Sequence, residues 1–191
     1  MRSLRHFPAL LAALLLTAAC TGGAPSLAAP ACADERAAGL DAELEALLPD
    51  DLDGVPPATV ESGRFCSAEA LGSLIPAGIS ELRFAGATWP EDARGVSLVL
   101  YRAPNLDLDR MADAFANGAG VARRISNVTA IETTFAGGRA IRVNAVATDR
   151  ALNTLLWSPR PPDLVAGVLA SGLPEERIIA AATALETSAG R

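Results

Sequence analysis

Apolar residues downstream of residue 33 recur at two spacings, and these spacings predict three helices and a set of strands. Leu40, Leu44 and Leu47 recur at i, i+4 and i+7, which predicts a helix over residues 34–48. The clearest helix follows Asp107 as its N-cap residue. A last helix is predicted over residues 174–185, with Pro174 at its start. The apolar stripe of the middle helix comprises Leu108, Met111, Phe115, Ala119 and Ala122.

The remaining segments predict one further, short helix and a set of short strands separated by Pro- and Gly-containing turns. Ser67 is predicted to cap a short helix that ends near residue 74. Gly137 and Gly138 are typical of a hairpin turn. Antiparallel strands with helices laid on one face make an α+β fold, and residues 34–191 have the length of a single domain. The predicted strands cover residues 58–65, 82–89, 96–102, 128–135, 140–146, 152–157 and 164–170.

From Val96 onward the predicted order is a strand, a long helix, several antiparallel strands and a terminal helix. This order resembles that of the small PsbP-like domains that occur in bacterial lipoproteins. The resemblance covers about 90 residues, is one of element order alone and involves no diagnostic motif. It implies a fold and no site.

The N-terminal segment is typical of an exported chain. Arg2 and Arg5 precede an apolar stretch that is too short for the ~20 residues of a membrane-spanning helix and has the length of a signal peptide. The sequence Leu16-Thr17-Ala18-Ala19-Cys20 follows directly. It resembles the lipobox of bacterial lipoproteins, except that Thr17 stands where the family usually has Leu. The resemblance implies cleavage before Cys20 and lipidation of its sulfur.

On this interpretation the chain has three parts: a signal peptide (1–19), a lipidated Cys20 with a flexible tether (20–33), and the domain (34–191). The tether is small and rich in Pro and Gly. The protein is then expected at the extracytoplasmic face of the cell membrane. The alternative is an ordinary secretory signal cut after Ala31, which leaves a secreted protein.

Export changes the interpretation of the other cysteines. Without Cys20 the chain keeps an even pair, Cys32 and Cys66, which an oxidising compartment favours as a disulfide. Two independent buried thiols are the alternative. A redox site is disfavoured because the spacing is not CxxC and the mature chain has no His or Lys beside a thiol.

Composition excludes several functions. All 16 basic residues are Arg, and the one histidine, His6, lies in the predicted signal peptide. A mature chain from Cys20 therefore has neither His nor Lys, which excludes Ser-His-Asp and Cys-His catalysis, His-ligated metals and Schiff-base chemistry. It keeps 14 Arg against 22 acidic residues, a net charge of about −8, so we expect no nucleic-acid binding. We expect no cofactor, no metal and no catalytic residue.

Four local patterns have a functional interpretation beside a structural one. Glu91 and Asp92 beside Trp89 suggest the catalytic acid of a glycosidase. The structural alternative is a solvent-exposed turn between two strands, in which acidic residues are common. Neither acidic cluster (residues 50–53 and 105–109) fits the register of a calcium loop. Asn127, Val128 and Thr129 match a glycosylation sequon, and we interpret this match as coincidence. The distinctive exposed segment is a loop that could contact a partner, formed by Pro159, Arg160, Pro161 and Pro162.

The function that these observations favour is non-catalytic. We expect a binding or interaction module that contacts an envelope protein or another envelope component. A small-ligand carrier at the membrane surface is the alternative, and it requires an apolar pocket with a few polar groups. A hydrolase that uses carboxylates alone is the third hypothesis. The Trp, Tyr and Phe side chains are spaced as core residues, with Trp157 expected to be buried.

Overall fold

The computed structural model describes residues 32–91, 94–148, 150–159 and 164–190. They form one compact unit with a single eight-stranded antiparallel sheet, so the expected single α+β domain is confirmed. Cys20, the predicted lipidation site, and the predicted signal peptide lie outside the described residues. The strands are β1 (Glu35–Ala37), β2 (Thr59–Phe65), β3 (Leu82–Glu91), β4 (Arg94–Arg102), β5 (Ile125–Phe135), β6 (Gly138–Ala147), β7 (Arg150–Trp157) and β8 (Leu164–Ser171).

The sheet consists of two four-stranded meanders that meet at their last strands. Its order is β1-β2-β3-β4-β8-β7-β6-β5, and every neighbouring pair is antiparallel. The chain leaves β4 at the centre of the sheet and starts β5 at its far edge. Four helices complete the domain: α1 (Ala42–Glu45), α2 (Ala68–Leu71), which continues into a 3₁₀ turn (Gly72–Leu74), α3 (Leu108–Val121) and α4 (Glu175–Ala189).

The expectation that all helices pack on one face of the sheet is wrong. Alternate residues of the central strands enter two separate cores. In β8, Leu164, Ala166 and Val168 pack with α4 and α1, whereas Val165 packs with α3 and the α2 segment. Each central strand is apolar on both sides, so both of its faces require a cover. We call the side covered by α4 the α4 face, and the opposite side the α3 face.

The predicted helix over residues 34–48 is also wrong in most of its length. The chain instead forms edge strand β1, turns at Gly39 with a φ of +80°, and makes only the short helix α1. Asp41 explains the late start, because its side chain caps α1 through the Leu44 amide at 3.1 Å and pairs with Arg83 at 2.7 Å. The pairing of β1 with β2 outweighs the helical pattern of leucines, of which only Leu44 and later residues pack into a core.

The other elements follow their sequence signals. Asp107 caps α3 by accepting a hydrogen bond from the Arg110 amide at 2.8 Å. Ser67 caps α2 in the same way through the Ala70 amide. Pro174 is the residue before the first turn of α4. The strand boundaries are within a few residues of those expected, and the β5–β6 turn lies at Ala136 and Gly137, one residue earlier than predicted.

Candidate functional site: an apolar groove between α2 and α3

An open groove of about 410 Å³ lies on the α3 face, between the α2 segment and the C-terminal half of α3. It exists because α2 and its 3₁₀ turn fill only part of the space beside α3. Its surface is mostly apolar, with a polar rim that includes Glu69, Ser73 and Asn117. Val121 ends α3 at the groove and is 86% exposed. The principal apolar lining residues are Phe65, Leu82, Tyr101, Met111 and Phe115.

Aromatic side chains from four elements form the floor of the groove and the layer behind it. Phe65 of β2 stacks on Phe84 of β3, with ring centroids 4.5 Å apart and an interplanar angle of 8°. Tyr101 lies opposite Phe84 in the β3–β4 register and meets Phe115 of α3 edge-on at 6.0 Å. Such ring pairs stabilise the fold by about 0.5–1.5 kcal/mol beyond the area that they bury. The floor of the groove is therefore preformed.

The hydroxyl of Tyr101 is the polar group placed among these apolar walls. The ring is partly buried, and among the described residues the hydroxyl has no hydrogen-bond partner. Burial raises the pKa of Tyr101 well above its usual value, and the nearby Arg36 charge offsets only part of this shift. The phenol is thus neutral at physiological pH and can both donate and accept a hydrogen bond.

The wall formed by α2 is attached to the N-terminal segment of the domain. Cys32 and Cys66 lie at disulfide distance, with Cα atoms 5.7 Å apart, so the structure brings the predicted pair together. Asp34 accepts hydrogen bonds from the amides of Cys66 and Ser67 at 2.6 and 2.8 Å, and from the Ser67 hydroxyl. These hydrogen bonds lower the pKa of Asp34. The chain that follows the tether therefore holds the start of α2.

Cys32, Cys66 and Glu81 are the only cluster of possible metal ligands among the described residues. Glu81 Oε2 lies 3.7 Å from the Cys32 sulfur. Paired sulfurs offer no thiolate, and a structural zinc site needs four ligands. The arrangement therefore fits a disulfide beside a carboxylate rather than a metal centre.

Most of the remaining predicted site residues lie outside the part of the chain that the structure describes. Pro159 is buried, and the other three residues of the expected partner loop, Arg160, Pro161 and Pro162, lie outside the described residues. The side chains of Glu91 and Asp92 lie outside them as well. Trp157 is 3% exposed, as expected for a core residue.

Both acidic clusters make local hydrogen bonds and ion pairs. Asp51 accepts a hydrogen bond from the Gly54 amide, and Asp53 pairs with Arg177. Asp107 caps α3, and Asp109 pairs with Arg139 at 2.7 Å. Asn127 lies within β5 at a register shift, with a φ of +54°.

The groove is the part of the site that sequence reasoning missed. Phe65, Tyr101 and Phe115 are far apart in sequence and were expected to be core residues. One signal could have found part of it: pairing the predicted strands β3 and β4 places Phe84 opposite Tyr101. The gap between α2 and α3 has no sequence signature, because it depends on where two helices end.

No helix in the described ranges combines the length and the apolar character needed to cross a membrane. Comparison of the chain with protein-family models, with curated proteins and with solved structures finds no match.

Proposed function

We propose that the chain is a lipid-anchored extracytoplasmic binding protein whose groove between α2 and α3 takes a small amphiphilic molecule. The observation that carries this proposal is an apolar groove with a neutral, unpartnered phenol in its floor. Its volume of about 410 Å³ falls within the range of about 300–1,000 Å³ typical of small-molecule sites. Between the two binding roles expected from the sequence, this geometry favours the small-ligand carrier.

The composition of the groove indicates which ligands would fit. Phe65, Leu82 and Met111 offer apolar contact, which favours a hydrocarbon chain or ring system. Tyr101 offers one hydrogen bond at the floor. Solvent still reaches this hydroxyl, so a ligand group that bonds to it replaces water, and a hydrogen bond of this kind contributes about 0.5–1.5 kcal/mol. A molecule with an apolar body and one polar group meets both requirements.

The attachment of the chain supports a ligand that comes from the membrane. Lipidation at Cys20 would leave only residues 21–31 between the anchor and Cys32. Cys32 is paired with Cys66, which directly follows the groove residue Phe65. The groove therefore lies beside the point where the tether enters the domain. An amphiphile that partitions into the bilayer surface would reach it over a short distance.

A binding assay with a dansyl-labelled fatty acid tests the proposal on the mature chain carrying Cys20→Ala. We expect saturable binding at one site. Gly118→Leu should weaken it at least tenfold, because a side chain at Gly118 projects into open space that belongs to the groove. Gly120→Leu is the matched control: it lies two residues further along α3, is equally open, and does not line the groove.

Two results would overturn the ligand proposal. One is a folded protein that binds no probe saturably. The other is equal binding by the Gly118→Leu and Gly120→Leu variants. Tyr101→Phe removes only the hydroxyl and should weaken binding roughly fivefold to tenfold, the effect of one hydrogen bond of about 1 kcal/mol.

Membrane fractionation tests the anchoring independently of the groove. The full chain should sediment with membranes and be released by detergent, whereas Cys20→Ala should leave the mature domain unattached. Recovery of both proteins in the soluble extracytoplasmic fraction would favour the secreted alternative. That outcome would leave the groove assay valid, so the two parts of the proposal can fail separately.

A further inference from the structure

Strand β5 forms one edge of the sheet and is open to pairing. Among the described residues β6 is its only neighbour in the sheet, and its register with β6 is regular from Thr129 to Phe135. Most side chains of this segment are exposed, and Ile131 is exposed by 53%. An edge strand presents a row of unpaired N–H and C=O groups to any strand of compatible register.

The devices that protect edge strands are sparse in β5. The strand contains no Pro, Lys or Arg, and its single charge, Glu132, lies 3.1 Å from Arg139. Its one irregularity is confined to the segment between Ser126 and Thr129. The opposite edge is different, because β1 has only three residues, two of which are charged. Of the two edges that the described strands form, only the β5 edge offers a long regular ladder.

The hairpin turn determines which backbone groups of β5 face outward. Ala136 and Gly137 both have positive φ, 49° and 77°, which is typical of a two-residue type I′ turn. The flanking pair Phe135 and Gly138 is then hydrogen-bonded, and bonding alternates along the strand. Ile131 and Thr133 consequently bond to β6. The outward-facing residues are Ala130, Glu132 and Thr134.

We propose that β5 pairs antiparallel with β5 of a second copy of this chain, about a two-fold axis at Ile131. The two eight-stranded sheets then form one continuous sheet of sixteen strands. Ala130 exchanges hydrogen bonds with Glu132 of the second copy. The two Ile131 side chains face each other in a non-hydrogen-bonded pair, where Cα atoms are closest, at about 4.5 Å.

Other positions of the two-fold axis also pair outward-facing residues with outward-facing residues. Two of them are disfavoured, one by charge repulsion and one by the length of β5. An axis at Glu132 places two carboxylates directly opposite each other, which is destabilising. An axis at Thr133 places Ala130 opposite Ala136, which belongs to the turn, so the ladder extends beyond the strand. The axis at Ile131 pairs Ala130 with Glu132 within the regular part of β5, and it places Thr134 opposite Val128, which still belongs to β5 but lies at its irregular segment. It also covers the exposed Ile131.

Self-complementarity is the reason for choosing a second copy as the partner. An isologous contact needs one patch that matches itself, and the exposed apolar side chain at its centre meets an identical one. The proposed lipid anchor adds a further factor, because chains held at one membrane surface encounter each other at a raised local concentration. The dimer itself depends only on β5.

Cysteine crosslinking of the full chain in its membranes tests this register. Ile131→Cys should give a covalent dimer on mild oxidation, because the paired Cα distance lies within the range that a disulfide spans. Thr133→Cys is the control on the same sheet face. In the proposed register each residue 133 lies four positions from its counterpart, about 13 Å, which is too far.

The outcomes of this experiment either support or overturn the proposal. A dimer formed by Ile131→Cys and not by Thr133→Cys supports it. No dimer with Ile131→Cys, equal dimer with both variants, or dimer with Thr133→Cys alone would overturn it. A wild-type sample oxidised in parallel shows whether Cys32 or Cys66 crosslinks by itself.

Sedimentation of the mature chain carrying Cys20→Ala provides a second test without added thiols. Ile131→Asp places two carboxylates at the axis of the dimer, while Arg142 lies opposite residue 131 within the monomer and supports folding. We expect the dimer dissociation constant to rise at least tenfold. Thr133→Asp, with the same charge on the same face, should raise it less, and equal effects would contradict the register.

Discussion

The two faces of the sheet carry helices of nearly equal length, yet one face is sealed and the other is open. On the α4 face, Ile178, Ala182 and Leu185 are each at most 1% exposed against the central strands. On the α3 face, α3 buries Leu108, Met111 and Ala112 but leaves Phe115 half-buried at the groove. We therefore expect the packing on the α4 face to contribute more to the free energy of unfolding, and we place the proposed binding on the α3 face.

The difference does not arise from the ion pairs that join the two long helices to β6. Each long helix is joined to β6 by one arginine: Arg142 pairs with Glu175 of α4, and Arg139 pairs with Asp109 of α3. These ion pairs with β6 are therefore similar on both faces, although α4 also accepts a hydrogen bond from Trp157 of β7 through Glu186. What differs is the apolar stripe, because that of α3 is interrupted by Asn117 and Gly118 where the helix borders the groove.

The largest expected effect is a difference between truncations in the two helices. Leu185→Ala should lower the free energy of unfolding by about 3 kcal/mol, because it opens a cavity in a fully packed core. Phe115→Ala removes a larger side chain but should cost only about 1 kcal/mol, since its ring already borders solvent. Urea unfolding of both variants measures the difference, and equal losses would show that the α3 face is sealed too.

An intermediate effect is expected at the hydrogen bond between Trp157 and α4. The Trp157 indole donates to Glu186 at 2.6 Å, and Glu186→Ala leaves that N–H without its partner. The loss should be about 1–2 kcal/mol. Trp157 fluorescence and urea unfolding measure it together. Glu176→Ala, an exposed glutamate of the same helix, should change stability by less than about 0.5 kcal/mol.

The smallest expected effect is a pH dependence shared by the two faces. Hydrogen bonding by Arg142 lowers the pKa of Glu175, and hydrogen bonding by Arg139 lowers that of Asp109. A carboxyl group with a lower pKa in the folded state stabilises the fold above its unfolded pKa, near 4, and that contribution is lost as the pH falls. Both pairs are largely exposed, so each should contribute under about 1 kcal/mol.

Denaturant unfolding at pH 7 and at pH 3 measures this dependence. Glu175→Gln and Asp109→Asn should each flatten the decline in stability on acidification by a similar amount. A much larger effect for Glu175→Gln would mean that the electrostatic attachment, and not only the packing, differs between the faces. Glu176→Gln serves as the control because Glu176 is an exposed glutamate in the same first turn of α4.

Most strands and three of the helices, α2, α3 and α4, could be predicted, because their signals are local. β8 is a continuous apolar run, and Asp107 and Pro174 mark the starts of α3 and α4 by backbone chemistry that needs no tertiary contact. The helix predicted over residues 34–48 failed for the opposite reason. There, β1 depends on pairing with β2, and Asp41 depends on Arg83, 42 residues away.

The sequence by itself determined the composition and, apart from β1, the order of the main elements, and it favoured a pair of Cys32 with Cys66 over two separate thiols. It also predicted the absence of His and Lys chemistry from a mature chain that begins at Cys20. The tertiary structure decided which face each helix covers, because strands that are apolar on both sides accept a helix on either side. It also decided the groove and the open β5 edge. The groove depends on where α2 and α3 end, and the open edge depends on which strand has no neighbour. Neither is determined by the residues within a single element.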